Sequence, residues 1–131
     1  TVDFYEAGNM STPAFSRNVT TTTNGNFSVN NIPNSTYKIT VKNAHTLKRV
    51  SALETFNGGT KNINFGLLSE GDINADNFVS ILDLGMLINA YNKTPADPGF
   101  LPNADLNGDN FISILDLGLI LLNYNKLGQI P

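Results

Sequence analysis

The phrase DINADNFVSILDLG, beginning at Asp72, returns thirty-three residues later as DLNGDNFISILDLG, beginning at Asp105. Near-identity over such a length means one local structure built twice, and six of the chain's eleven acidic residues lie inside the two copies. Counted from its first Asp, the first copy has Asp72, Asn74, Asp76, Phe78, Ser80 and Asp83 at positions 1, 3, 5, 7, 9 and 12; the second has Asp105, Asn107, Asp109, Phe111, Ser113 and Asp116. These are the ligand positions of a twelve-residue calcium loop, where oxygen-bearing side chains alternate around one ion and position 7 coordinates through its backbone carbonyl. Magnesium suits such a loop poorly, because it demands a tighter octahedron and holds its own waters. Position 6 needs a sharp turn, normally met by Gly; Asn77 and Asn110 stand there, and Asn tolerates the left-handed region. A single DxNxD is also what an Asx-turn-rich loop looks like. Two complete ligand sets make two bound calcium ions the expectation.

A period of this length also suits helical solenoids, but those need about three or more repeats, and this chain has two. GLLSEG before Asp72 and PGFLPNA before Asp105 place Gly and Pro where an entering helix would run. ILDLGMLINAYNK and ILDLGLILLNYNK, which follow, contain no proline and end near a lysine suited to a helix C-terminus. Each repeat, 72–93 and 105–126, therefore reads as a loop with only its exiting helix.

Winding the helices at about 100° per residue separates two sides. Leu84, Leu87, Ile88 and Tyr91 form the expected core side of the first helix, and Leu117, Ile120, Leu121 and Tyr124 that of the second. The outward sides carry Leu82, Gly85, Met86, Asn89 and Lys93, and Leu115, Gly118, Leu119, Leu122 and Lys126. An apolar outward stripe beside a glycine, which costs about 1 kcal/mol in a helix relative to Ala, marks a surface that another backbone approaches. The competing reading is that the stripe is covered within the chain.

Near Ser69 the text changes character, which sets an expected boundary between domains at 1–69 and 70–131. The first part alternates with period two: Val2 and Phe4 in TVDFY, Phe27 and Val29 in GNFSV, Tyr37, Ile39 and Val41 in TYKITVK, Ile63 and Phe65 in NINFG. Asn24-Gly25 signals a type I′ hairpin with both central residues at positive φ. About six short strands with such turns predict an antiparallel β-sandwich.

Composition narrows the function classes. The absence of cysteine excludes disulfides, zinc-cysteine sites and thiol catalysis, and a net charge of -3 argues against a nucleic-acid surface. No apolar run is long enough for membrane insertion. Thr1 opens the chain with no basic, apolar leader before it, so a processed product or an excised piece is expected. His45 is the only histidine and has no triad or zinc partners in the sequence; it reads as a loop residue. Sequons, those at Asn9, Asn18, Asn34 and Asn92 among them, are about as frequent as such a composition produces by chance. With the carboxylate pairs assigned to calcium, none remains for acid/base catalysis, so no enzyme and no small-molecule substrate are expected.

The run VTTTTNGNFSVNNIPNSTYKITVKNAHTL, with a hairpin glycine before Phe27 and a proline turn leading into Tyr37, resembles prealbumin-like, carboxypeptidase-regulatory β-sandwiches, including the X modules that sit beside dockerins. Two departures stand out. Pro33-Asn34-Ser35 occupies a turn where that family usually has glycine, and the family's opening strand is missing, which predicts a sheet edge without its partner. A calcium loop with only an exiting helix, ending in Asp, present twice and joined by the Pro-rich TPADPGFLP, resembles a dockerin from Glu70 to about Lys126.

Together these resemblances imply a multidomain β + α chain, a small prealbumin-like sandwich followed by an all-α calcium-binding dockerin-like domain. They imply a non-catalytic extracellular module, secreted or attached to a cell surface, that binds a cohesin-like protein module and so attaches a protein to a scaffold. In dockerins the contact residues lie at loop positions 10 and 11 and along the outward helix face. Carried over, these are Ile81 and Leu82, and Ile114 and Leu115, apolar in the type II manner rather than Ser/Thr. The same pair in both copies implies that a partner can bind in two orientations related by half a turn. The alternative is a structural subunit whose identical copies assemble into an extracellular fibre or sheet by strand addition to the incomplete sandwich. A third reading gives the helical part no partner and only a capping role.

Overall fold

In the computed structural model, which describes residues 1–131, four strands pair antiparallel in the order β2-β1-β3-β4: β1 (Val2–Glu6), β2 (Phe15–Arg17), β3 (Ser35–Val41) and β4 (Arg49–Phe56). Period-two alternation puts Val2 and Phe4 opposite Val41 and Ile39, and these side chains are buried together with Tyr37. Phe4 stacks on Phe15 at 4.5 Å and meets the edge of Tyr37 at 5.7 Å. Such ring contacts add to the burial of large apolar area.

Helices α1 (Ile81–Asn89) and α2 (Ile114–Asn123) follow, with a 3-10 turn at Pro102–Ala104 between them. The chain divides into two compact units. The β unit comprises Thr1–Lys42, Arg49–Gly66 and Gln129–Pro131; the helical unit comprises Asn43–Lys48 and Leu67–Gly128. Residues 43–48, which join β3 to β4 in sequence, thus belong to the helical unit, and Leu47 is one of its core residues.

The sheet differs from the sequence reading in four respects. It has four strands rather than about six, and GNFSV and NINFG join no ladder. Their alternation serves a ring contact instead, Phe27 lying parallel to Phe65 at 6.4 Å. The turn at Asn24-Gly25 is not type I′: only Gly25 has positive φ, its N–H donating to the Thr22 carbonyl while the Thr22 N–H donates to that of Asn26. This is a type I turn closed by a left-handed glycine, the usual three-residue hairpin loop. Finally, β1 is paired on both sides, so the N-terminal strand is not an unpaired edge. The edges are β2, three residues long, and β4. In β4 a bulge at Ser51–Ala52 breaks the ladder between Lys38 and Thr40; Ser51 Oγ accepts the Ile39 N–H at 2.9 Å, and Val50 N–H donates to the Gln129 side chain. Bulges and occupied donors blunt an edge against strand addition.

In the helical unit, Ile73, Val79 and Leu87 from the first repeat pack with their counterparts Leu106, Ile112 and Ile120, and with Leu47, Ala90 and Ala104. Both helices are shorter than their apolar text suggests. The residues after them, Asn92 and Asn125, each adopt φ 62, a left-handed turn that a helix cannot continue through. Lys93 and Lys126 therefore lie beyond the last turns, which contain no basic residue. Between the repeats, Asp97 accepts the Thr94 backbone N–H and hydroxyl; these bonds hold its carboxyl below the usual aspartate range. No helix is long and apolar enough to cross a membrane.

Candidate functional site

Asp83, at position 12 of the first loop, is fully buried. Its Oδ1 accepts the N–H groups of Ile73 and Asn74 at 2.8 and 3.1 Å, and its Oδ2 accepts that of Ser80 at 2.8 Å. Asp116 does the same with Leu106, Asn107 and Ser113 at 2.8, 3.2 and 2.8 Å. Each carboxylate thus ties the start of its loop to the start of its helix. Ser80 and Ser113, read from the sequence as ligands, are the helix N-caps: each Oγ accepts the N–H two residues on, at 3.1 Å. With Asp at N3 this completes a capping box. The S-x-x-D spacing ahead of an apolar run carried that signal.

The remaining loop positions are turned inward by their own backbone. Asn74 Oδ1 accepts the Asp76 N–H, Asp76 Oδ1 accepts that of Phe78, and Asp72 Oδ2 accepts that of Asn77. Asn107, Asp109 and Asp105 repeat these bonds with Asp109, Phe111 and Asn110. Asn77 and Asn110 stand at φ 71 and 65, the left-handed turn asked of position 6. A second such turn, at position 4, was not foreseen: Ala75 has φ 65 and Gly108 has φ 75.

No group of three or more acidic or histidine side chains gathers into a ready metal cluster. Like charges repel when brought together, and Asp76 and Asp109 instead accept the side-chain amides of Asn74 and Asn107 at 2.8 and 2.9 Å. The donor set itself suits a hard cation: positions 1, 3, 5, 9 and 12 all offer oxygen, in both copies, with no sulfur or imidazole among them.

The helix faces differ in part from the wheel reading. Leu87 and Ile120 are buried as expected, and Leu84 and Leu117 are half-buried against the core. Ile88 and Leu121, expected inward, are 58% and 59% exposed, and Tyr91 and Tyr124 are exposed as well. Met86 and Leu119, expected outward, pack against the core. The cause is Asp83 and Asp116: their burial turns the stripe Asp83, Leu87 and Ala90 inward, and with it the opposite stripe Ile81, Gly85 and Ile88 outward. Leu82 and Asn89 flank that outward stripe. In α2 the matching residues Ile114, Leu115, Gly118, Leu121 and Leu122 are all exposed. A Cβ added at Gly85 or Gly118 would meet nothing within 4 Å, so nothing within the chain crowds either glycine.

Residues 70–124 match the family model described as the dockerin type I domain. Two solved structures share the fold, a C-terminal and an N-terminal interface mutant of the type II cohesin–X-dockerin complex from Acetivibrio cellulolyticus. Their TM-scores are 0.74 and 0.73, each at 21% identity and covering 97% of this chain and 82% of the other. A comparison with curated proteins finds no match. Residues 70–124, with their two loops and exiting helices, are thus similar to the dockerin type I domain, and the chain shares its fold with the two X-dockerin complexes.

Proposed function

We propose that this chain is a non-catalytic assembly module, and that its helical unit, with calcium in both loops, binds a cohesin-like receptor outside the cell and so attaches a protein to a scaffold or cell surface. The observation that carries this reading is the duplicated exposed stripe, Ile81, Leu82 and Ile88 on α1 and Ile114, Leu115, Leu121 and Leu122 on α2. Large apolar side chains grouped in this way on a surface mark an interaction site. The two structures of similar fold are complexes named for a type II cohesin and an X-dockerin, and apolar residues at positions 10 and 11 suit a partner with an apolar face.

Asp72, Asn74, Asp76, Ser80 and Asp83, with the Phe78 carbonyl, would hold one ion; Asp105, Asn107, Asp109, Ser113 and Asp116, with the Phe111 carbonyl, would hold the other. A divalent cation supplies the positive charge that lets three carboxylates share one loop, so its binding free energy becomes folding free energy. Millimolar extracellular calcium fills even weak loops of this class. The β unit is read as a prealbumin-like sandwich flanking the dockerin. Binding of the purified chain to an immobilised type II cohesin, in calcium and in excess EDTA, tests the proposal. Saturable binding only in calcium is expected; no binding to any cohesin in calcium contradicts it.

A further inference from the structure

Asn77 and Asn110 hold the same place in their loops but not the same partners. Both donate their N–H to the first Asp of the loop, at 3.0 and 2.9 Å. Asn77 is also gripped from outside its loop: its Oδ1 accepts the Lys48 N–H at 2.9 Å, and its carbonyl accepts the Gly128 N–H at 2.8 Å. A Cβ on Gly128 would strike the Asn77 side-chain amide, so that contact requires glycine. The internal repeat explains why Asn110 lacks the second bond, because the residue matching Gly128 is Pro95, and proline has no N–H to donate.

Two further ties reach only the first loop. Asn123 Nδ2 donates to the Glu70 carbonyl at its entrance, where the repeat places Ala90 in the other half. The His45 carbonyl accepts the N–H groups of Gly71 and Asp72. The second loop is held from within, Gly108 and Asp109 N–H both donating to Asp105 Oδ1. Asp72 is accordingly fully buried, whereas Asp105 is only half-buried.

We infer that the two loops are unequal: Asn77 is a positioning residue that latches the first loop to residues 43–48 and to Gly128, so that this loop keeps its ion after the second has released its own. This rests on the calcium reading above. Local opening of the loop backbone eases release of an ion, and each hydrogen bond tying that backbone to the rest of the unit opposes the opening. Two additional hydrogen bonds of ordinary net strength correspond to a difference in release of about tenfold or more.

The test uses the full chain, which has no tryptophan, with Phe78→Trp and Phe111→Trp as separate reporters at position 7, whose side chain is not a ligand. Terbium, another hard cation for oxygen sites, is loaded and then released into excess EDTA while tryptophan-sensitised luminescence is followed. The Phe111→Trp chain should lose its signal about tenfold faster than Phe78→Trp. Asn77→Gly, which keeps the left-handed turn and removes the latch oxygen, should speed release from the first loop several-fold; Asn110→Gly should leave the second within twofold. Equal release from both loops, or slower release from the second, overturns the inference and leaves the calcium reading standing. An unchanged first-loop rate in Asn77→Gly removes Asn77 from the account. Should Asn77→Gly fail to fold, the two reporters compared in the otherwise unaltered chain still decide the matter. Uptake of no ion by either loop defeats both readings together.

Discussion

Val79 and Ile112, thirty-three residues apart, are held by the same exchange of backbone hydrogen bonds with the opposite repeat. Val79 donates to the Lys126 carbonyl at 3.0 Å and accepts from Asn125 at 2.8 Å; Ile112 donates to Lys93 at 3.0 Å and accepts from Asn92 at 2.8 Å. Each loop therefore ends against the chain that leaves the other helix. Neither repeat completes this backbone pairing by itself.

The two helix faces make opposite predictions. Leu87→Ala or Ile120→Ala removes a fully buried side chain and should destabilise the helical unit by about 2–5 kcal/mol. Ile88→Ala and Leu121→Ala made together, one on each exposed stripe, should change stability by about 1 kcal/mol or less and weaken receptor binding. Thermal unfolding in saturating calcium, beside binding isotherms, separates the two effects.

Position 4 of the loops offers a test of backbone strain. Ala75 occupies the left-handed region where the second copy has Gly108, a conformation costing an ordinary L-residue about 1–2 kcal/mol. Ala75→Gly should therefore stabilise the helical unit by about 1 kcal/mol and Gly108→Ala should destabilise it by a similar amount. No atom lies within 4 Å of a Cβ at Gly108, so a loss there measures backbone strain alone. Denaturant midpoints in calcium read both.

Repetition of the exposed stripe implies two equivalent ways to dock. Leu82→Asp and Leu115→Asp, made singly, should each leave receptor binding within about tenfold of the parent, because the other copy still offers an intact pair. The double variant should lose binding, at a cost expected from burying unpaired charge at an interface. Abolition by either single change would assign one fixed orientation.

What the sequence disclosed and what it hid have physical causes. The loops were legible as loops because short oxygen-bearing side chains at every second position close turns on their own backbone, and because the pattern occurs twice. The helix faces were legible only in part: a wheel that sends charge outward places Ile88 and Leu121 inside, while Asp83 and Asp116 are buried by the N–H groups they accept. β4 went unnoticed because its bulge shifts the phase of alternation at Ser51–Ala52. Phe27 and Phe65 alternated like strand residues yet serve a ring contact between segments outside any ladder. Nothing local in NAHTLK showed that Leu47 would join the core of the helical unit.

With β1 paired on both sides, the purified chain should sediment as a monomer with and without calcium. Calcium-dependent polymers would favour assembly between identical copies instead.

Whether calcium in both loops orders the helical unit is read by titrating the calcium-free chain in a calorimeter while following far-UV dichroism. About two equivalents should bind, with helical signal gained on binding and lost again in excess EDTA. A full helical signal in EDTA, with no heat on adding calcium, would mean that the helical unit folds without the ion.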